Sequence, residues 1–321
     1  MNSFETGAGD WLIVVRAIQF AASAMLAGIL LFRMVVAAPA LRLAPPAAQI
    51  VEVRTLRAAW ISLTITAVSG VAWLLLQAPA MSGLPFGEAM TADVIGTVLT
   101  QTQFGLISEI RFVLAVALAA CLSYDRHSQA RWLGLVLSLC LVAAIAATGH
   151  AGSTEGVGGI VHLAADAMHL VAAAAWIGGI LSLALLIGAT RRTNPHAWAP
   201  LVRDATDRFS TLAILSVSTL LVTGIINGSI LVGSLHALFV TKYGQLLMFK
   251  IALFAVMLVF AAANRFWLTP GISSLPDKGN ELDAVRKLRR NCHIEMALGL
   301  AIFAIVGVLG TIHPAIHLEP L

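Results

Sequence analysis

The residues best suited to chemistry lie between Gly149 and Gly179, in the stretch GHAGSTEGVGGIVHLAADAMHLVAAAAWIGG. His162, Asp166 and His169 stand at i, i+4 and i+7. On a helix at ~100° per residue they fall within an arc of about 60°, on one face. His150 lies just upstream, at the end of the preceding apolar run. Neutral imidazole ligates copper, zinc, iron and nickel, and a carboxylate among histidines either ligates or orients a ring through its second nitrogen. The set His150, His162, Asp166 and His169 is therefore expected to bind a metal or cofactor, the plainer alternative being a polar interhelical network. Trp176, two turns beyond His169 on the same face, is placed to floor such a site or to fill the bundle.

These residues sit in sequence that otherwise looks like membrane. The 321 residues are 59% hydrophobic and 11% charged, against about 25% charged for a soluble domain. Eight apolar runs approach or reach the length that spans a bilayer core. They lie near Trp11–Val36, Leu56–Gln77, Phe104–Tyr124, Trp132–Thr148, Ile160–Ile187, Phe209–Val232, Gly244–Leu268 and His293–Thr311. The expected fold is all-α, a polytopic helical bundle forming one membrane domain over 1–321, because only helices or closed barrels satisfy the backbone in lipid. Sixteen of the 20 Lys and Arg fall in, or at the edges of, four alternate loops, from Arg33–Arg57 to Arg265–Arg290. The positive-inside rule makes these loops cytoplasmic and both termini periplasmic. The basic pI near 9.3 thus reports topology, not nucleic-acid binding. Glu5 and Asp10 precede the first run without a basic segment, which reads as a first span and not a cleaved signal. Cys121, Cys140 and Cys292 lie in spans or toward the cytoplasmic side, so no external disulfide framework is expected.

With this topology six of nine histidines belong to the external half: His150, His162, His169, His236, His313 and His317. The chain also echoes itself. RAIQFAASAMLAGILL from Arg16 aligns without gaps to DAMHLVAAAAWIGGIL from Asp166, pairing Gln19 with His169 and Gly28 with Gly178. TQFGLISEIRFVL from Thr102 matches TKYGQLLMFKIAL from Thr241, Ser69-Gly70 matches Thr223-Gly224, and the fourth and eighth spans end in Thr-x-His at His150 and His313. Two parallel four-helix repeats, 1–148 and 149–321, are the expected organisation, with a site near their interface. Arg16, Glu109, Arg111, Asp166 and Lys250 then form a charged layer about 10 Å inside the external ends of their spans. Long cations can snorkel, whereas Glu109 and Asp166 are expected to face a polar interior and pair with them.

These residues resemble the CopD/PcoD family of bacterial inner-membrane copper resistance proteins. The resemblance rests on GHA at Gly149, HLAADAMHLVAAAAWIGGI from His162, the VTG-x-ING run from Val222, TKYGQLLMFKIALF from Thr241, AANR from Ala262 and GTIHPAIH from Gly310. The first span departs from the pattern, with Gln19 where a histidine is expected. The resemblance implies movement of copper from periplasm to cytoplasm and a periplasmic CopC-type copper-binding partner. About ten residues precede the first span, so that partner is expected to be a separate chain. A His/carboxylate set suits Cu(II), and scarce thiols and thioethers give less support for a Cu(I) cage. The expected metal residues are His150, His162, Asp166 and His169, helped by His313 or His317. Arg16, Glu109, Arg111 and Lys250 border the path inward. Two other readings stay open: a b-type haem protein with two axial histidines such as His150 and His313, and a sensor or scaffold for an external copper protein. No P-loop, HExxH or nucleophile-elbow pattern supports an enzyme.

Overall fold

The computed structural model describes residues 3–42, 45–149, 156–190, 195–272 and 278–317, and among these there is no strand. Eight helices are long and apolar enough to cross a membrane. We number them α1 (Gly9–Leu41), α2 (Ala48–Ser82), α3 (Gln103–Ser123), α4 (Ser128–Thr148), α5 (Gly158–Ala189), α6 (Pro200–Val232), α7 (Lys242–Gly271) and α8 (Leu282–Leu309). Each of the eight apolar runs in the sequence has become one of these helices. The end of the bundle at which α1 begins is called proximal, and the opposite end distal.

α1 and α5 form the centre. The most apolar window of each is 67% buried, against 6% for α7, whose surface is left for lipid. α1 packs on α2, α4, α5 and α8, and α5 packs on α1, α4, α6 and α8. Composition explains the close approach of the central pair. Lipid supplies no hydrophobic drive between helices, so backbones come together where side chains are small. Ala24, Ala27, Ala174 and Ala175 are buried at this contact, and the two chains meet at Gly28 and Gly178. A Cβ on Gly28 would meet the Ala174 carbonyl oxygen and lie 2.6 Å from the Gly178 Cα. The glycines that the internal alignment pairs thus face each other at the middle of the molecule.

Short proximal helices feed the outer spans. Ala92–Gln101 leads into α3 and Leu235–Val240 into α7. The two junctions have the same construction. Thr102 Oγ1 accepts from the Gly105 N–H at 2.9 Å and donates to the Val98 carbonyl at 2.6 Å. Thr241 Oγ1 accepts from the Gly244 N–H at 3.0 Å and donates to the Ala237 carbonyl at 2.7 Å. A threonine hydroxyl thus caps each span and ties it to the helix before it. At the distal end, wide π turns over Arg33–Ala37 and Asn264–Leu268 stand just before Pro39 and Pro270. Proline removes an amide donor from the helix ladder, and a π turn is one way to absorb the loss. Arg33 leaves its turn to bind Asp125 through both guanidinium nitrogens, at 2.9 and 2.6 Å.

Candidate metal-handling site

α5 presents Asp166 and His169 toward α6 near the proximal end. Thr223 and Asn227 of α6, four residues apart, meet them. His169 Nδ1 lies 2.9 Å from Thr223 Oγ1, and Asn227 Nδ2 donates to Asp166 Oδ1 at 3.2 Å. The Thr223 hydroxyl has one proton, and the Thr219 carbonyl takes it at 2.6 Å. His169 must then donate Nδ1–H to Thr223, which leaves Nε2 as the ring's free lone pair. That tautomer is the one a metal needs, and an outer hydrogen bond of this kind commonly fixes it. Gly224 keeps the space beside the ring open, since a Cβ there would lie 3.6 Å from His169 Cε1. Lys250 of α7 acts on both Asp166 and His169 through space, and Tyr243 feels the Asp166 charge. Trp176 is 2% exposed and edge-on to Phe254, with centroids 5.5 Å apart, closing the core two turns below His169.

The shared helical face does not make a shared ligand sphere. Among the described residues, no group of three or more His, Cys, Asp or Glu side chains is gathered to hold a metal ion. Seven residues of helix rise separate His162 from His169, about 10 Å along the axis, whereas a metal–ligand bond is about 2 Å. The structure brings Asp166 and His169 together with α6, and buries His162 nearly completely nearer the proximal end. His150 lies outside the described residues. His313 is exposed just beyond α8, and His317 ends the turn Ala315–His317, which rests on α6 and the helix Leu235–Val240.

The charged layer also differs from the sequence expectation. Glu109 is exposed on the outer face of α3, not directed at a polar interior, and it makes no ion pair among the described residues. A two-residue step on a helix is ~200°, so when α3 turns Arg111 inward it must turn Glu109 out. Arg111 and Arg16 are 6% and 7% exposed and pair with no carboxylate among the described residues. Both lie against Trp73 of α2, with guanidinium carbons 5.6 and 5.0 Å from the ring centre. The layer is therefore two separate groups: Arg16, Arg111 and Trp73 in the first half of the chain, and Asp166, Lys250 and Asn227 in the second.

In the sequence, Thr223 stands out only as a repeat marker and Asn227 only as part of the VTG-x-ING run. The TG-x-x-N spacing in VTGIINGS was the available signal for both as site residues. Glu295 of α8, 2% exposed, is a further buried polar residue. Asn264 Nδ2 donates to Glu295 Oε1 at 2.6 Å, and Asn291 Nδ2 donates to Asn264 Oδ1 at 2.8 Å. A lone glutamate in the apolar run IEMALGLAIF was the sign of this chain of amides.

Comparison with known proteins bears directly on this arrangement. The family described as Copper resistance protein D matches residues 203–309, and Copper resistance protein D-like, N-terminal domain, matches residues 7–160. Inner membrane protein YebZ of Escherichia coli is 30% identical over 75% of this chain and 82% of its own length. The chain belongs to the CopD family. Copper resistance protein D of Pseudomonas syringae pv. tomato is 28% identical over 80% of this chain and 82% of its own. Copper transport protein CutJ of Bacillus subtilis is 35% identical over 63% of this chain, which spans 38% of that longer relative. No solved structure matches. Family and helices together make this a multi-pass protein of the inner membrane, in a family of copper resistance and transport. The haem reading gains nothing from the matches, and His313, one of its expected axial ligands, is exposed.

Proposed function

We propose that this protein takes copper from the periplasm and moves it toward the cytoplasm, as a carrier and not an enzyme. The proximal end faces the periplasm in this reading, supported by the basic residues concentrated at the distal loops. Copper is the cargo. The observation that carries the reading is the hydrogen bond from His169 to Thr223, which leaves Nε2 free one turn from the Asp166 carboxylate. An imidazole and a carboxylate together suit Cu(II). His162 lies nearer the proximal end than either, His150, His313 and His317 complete the proposed ligand set, and a separate CopC-type periplasmic protein delivers the ion. Toward the cytoplasm, Asn291, Asn264 and Glu295 offer amide and carboxylate groups on the inward side. The helix pairs on either side of Gly28 and Gly178, and the matching threonine junctions, support two parallel repeats, 1–148 and 149–321.

Cellular copper accumulation at matched expression tests this. Wild type is expected to exceed empty vector, and His169→Ala and Asp166→Asn each to lose roughly tenfold or more of that excess. Equal copper in all four strains would sink the transport reading.

A further inference from the structure

We infer that the first half of the chain holds a binding site for a phosphate-type oxyanion, framed by Arg16, Arg111 and Trp73. Three different helices contribute to it: α1, α3 and α2. Both arginines are more than nine-tenths buried, and their guanidinium carbons lie within 5.6 Å of one ring centre. The Nε–H of Arg16, the Nε–H of Arg111 and the indole N–H of Trp73 are all buried without a hydrogen-bond partner among the described residues. Three unmatched donors around one ring demand an acceptor, and two buried positive charges demand a negative one.

Among the described residues, the protein's own groups do not meet that demand. Stacking on an aromatic face recovers only part of what a guanidinium loses on leaving water. Glu109, two residues before Arg111, points outward. Gln77, one turn beyond Trp73 on α2, has a buried unmatched amide oxygen, and turning it inward satisfies a single donor and no charge. Gly310 closes the α8 side with backbone alone, because a Cβ there would collide with the Arg16 guanidinium. A tetrahedral oxyanion offers several acceptor oxygens and the charge, and forked guanidinium donors match its geometry. Arg16 stands seven residues into α1, about 10 Å from its start, within reach of headgroup phosphates as well as of dissolved ones.

Purified full-length protein, delipidated in a neutral detergent, is titrated with phosphatidylglycerol and, separately, with inorganic phosphate, and read by native mass spectrometry. One saturable ligand per chain is expected, bound at least about tenfold more weakly by Arg16→Gln/Arg111→Gln. If inorganic phosphate displaces bound phosphatidylglycerol, a soluble oxyanion is the source. If the lipid is retained, it is the headgroup. Binding that the glutamine variant retains in full overturns the proposal. Should that variant not fold, the wild-type titration decides alone: no saturable binding of either probe overturns it. Copper uptake is not read, so the result is independent of the transport reading.

Discussion

The two halves of this chain place unlike side chains at the positions that the internal alignment pairs. In the second half, His169 on the central helix meets Thr223, Asp166 meets Asn227, and Lys250 stands nearby. In the first half, Gln19 replaces the histidine and meets Ser69 at 2.5 Å, Arg16 replaces the aspartate and meets Trp73, and Arg111 replaces the lysine. Even the adjoining glycines correspond. A Cβ on Gly70 would lie 3.6 Å from the Gln19 side chain, as one on Gly224 would from His169. Beside the Asp166 carboxylate the second half leaves an acceptor unmet, Asn227 Oδ1, with the Trp176 indole N–H unmet deeper in the core; around Trp73 the first half leaves three donors unmet, with one acceptor, Gln77 Oε1, a turn away. Under the two proposals, one scaffold would serve a cation in one half and an anion in the other by a change of three or four side chains.

The scaffold is where the halves should be hardest to tell apart and most costly to disturb. A methyl group on Gly28 or Gly178 has only backbone to displace at the central crossing, because each glycine abuts the partner helix. Gly28→Ala and Gly178→Ala should each cost about 3 kcal/mol, the upper part of the usual range for overpacking. Chemical denaturation in detergent measures this. A large loss for one and none for the other would break the equivalence of the halves at their shared centre.

Function should separate what the scaffold holds in common. Thr223→Val removes the oxygen that accepts His169 Nδ1–H and frees the ring to turn or change tautomer. Copper affinity of the purified protein is expected to fall by about tenfold or more, the usual effect of losing an outer-shell partner. Ser69→Ala removes the corresponding oxygen beside Gln19 and should leave copper affinity within about twofold, since no ligand depends on it. Equal losses from both substitutions would mean that copper engages the first half as well.

The sequence made the scaffold legible because hydrophobicity alone decides it. Eight apolar runs had to become helices in lipid, and the alternating basic loops had to share a side. The face of α5 that carries the ionisable residues was equally plain, since a helical period turns His162, Asp166 and His169 to one side. What periodicity cannot give is the neighbour. Thr223 and Asn227 come from a helix more than fifty residues away, and only packing of α5 on α6 shows that they set the histidine tautomer and hold the carboxylate. Nor does a common face specify convergence: His162 and His169 share an azimuth but stand about 10 Å apart along the axis. Glu109 illustrates the reverse problem. Its charge suggested an inward position, yet the inward azimuth of α3 is taken by Arg111, and two residues two apart cannot share it.

The smallest effect tests the comparison most finely, because it asks whether the halves retain the same joint where no ligand is involved. Thr102 and Thr241 each cap an outer span and bind back to the preceding short helix, with the two hydrogen bonds differing by no more than 0.1 Å between the halves. Removing the hydroxyl leaves the Gly105 or Gly244 amide without its cap and costs about 1 kcal/mol. Thr102→Ala and Thr241→Ala should therefore lower stability in detergent by the same modest amount, with copper affinity unchanged in both. If Thr241→Ala also weakens copper, the joint before α7 does more than its counterpart before α3. It would then be fixing the height of Lys250, nine residues further along the helix, against Asp166, and the divergence of the halves would extend from side chains to the backbone that aims them.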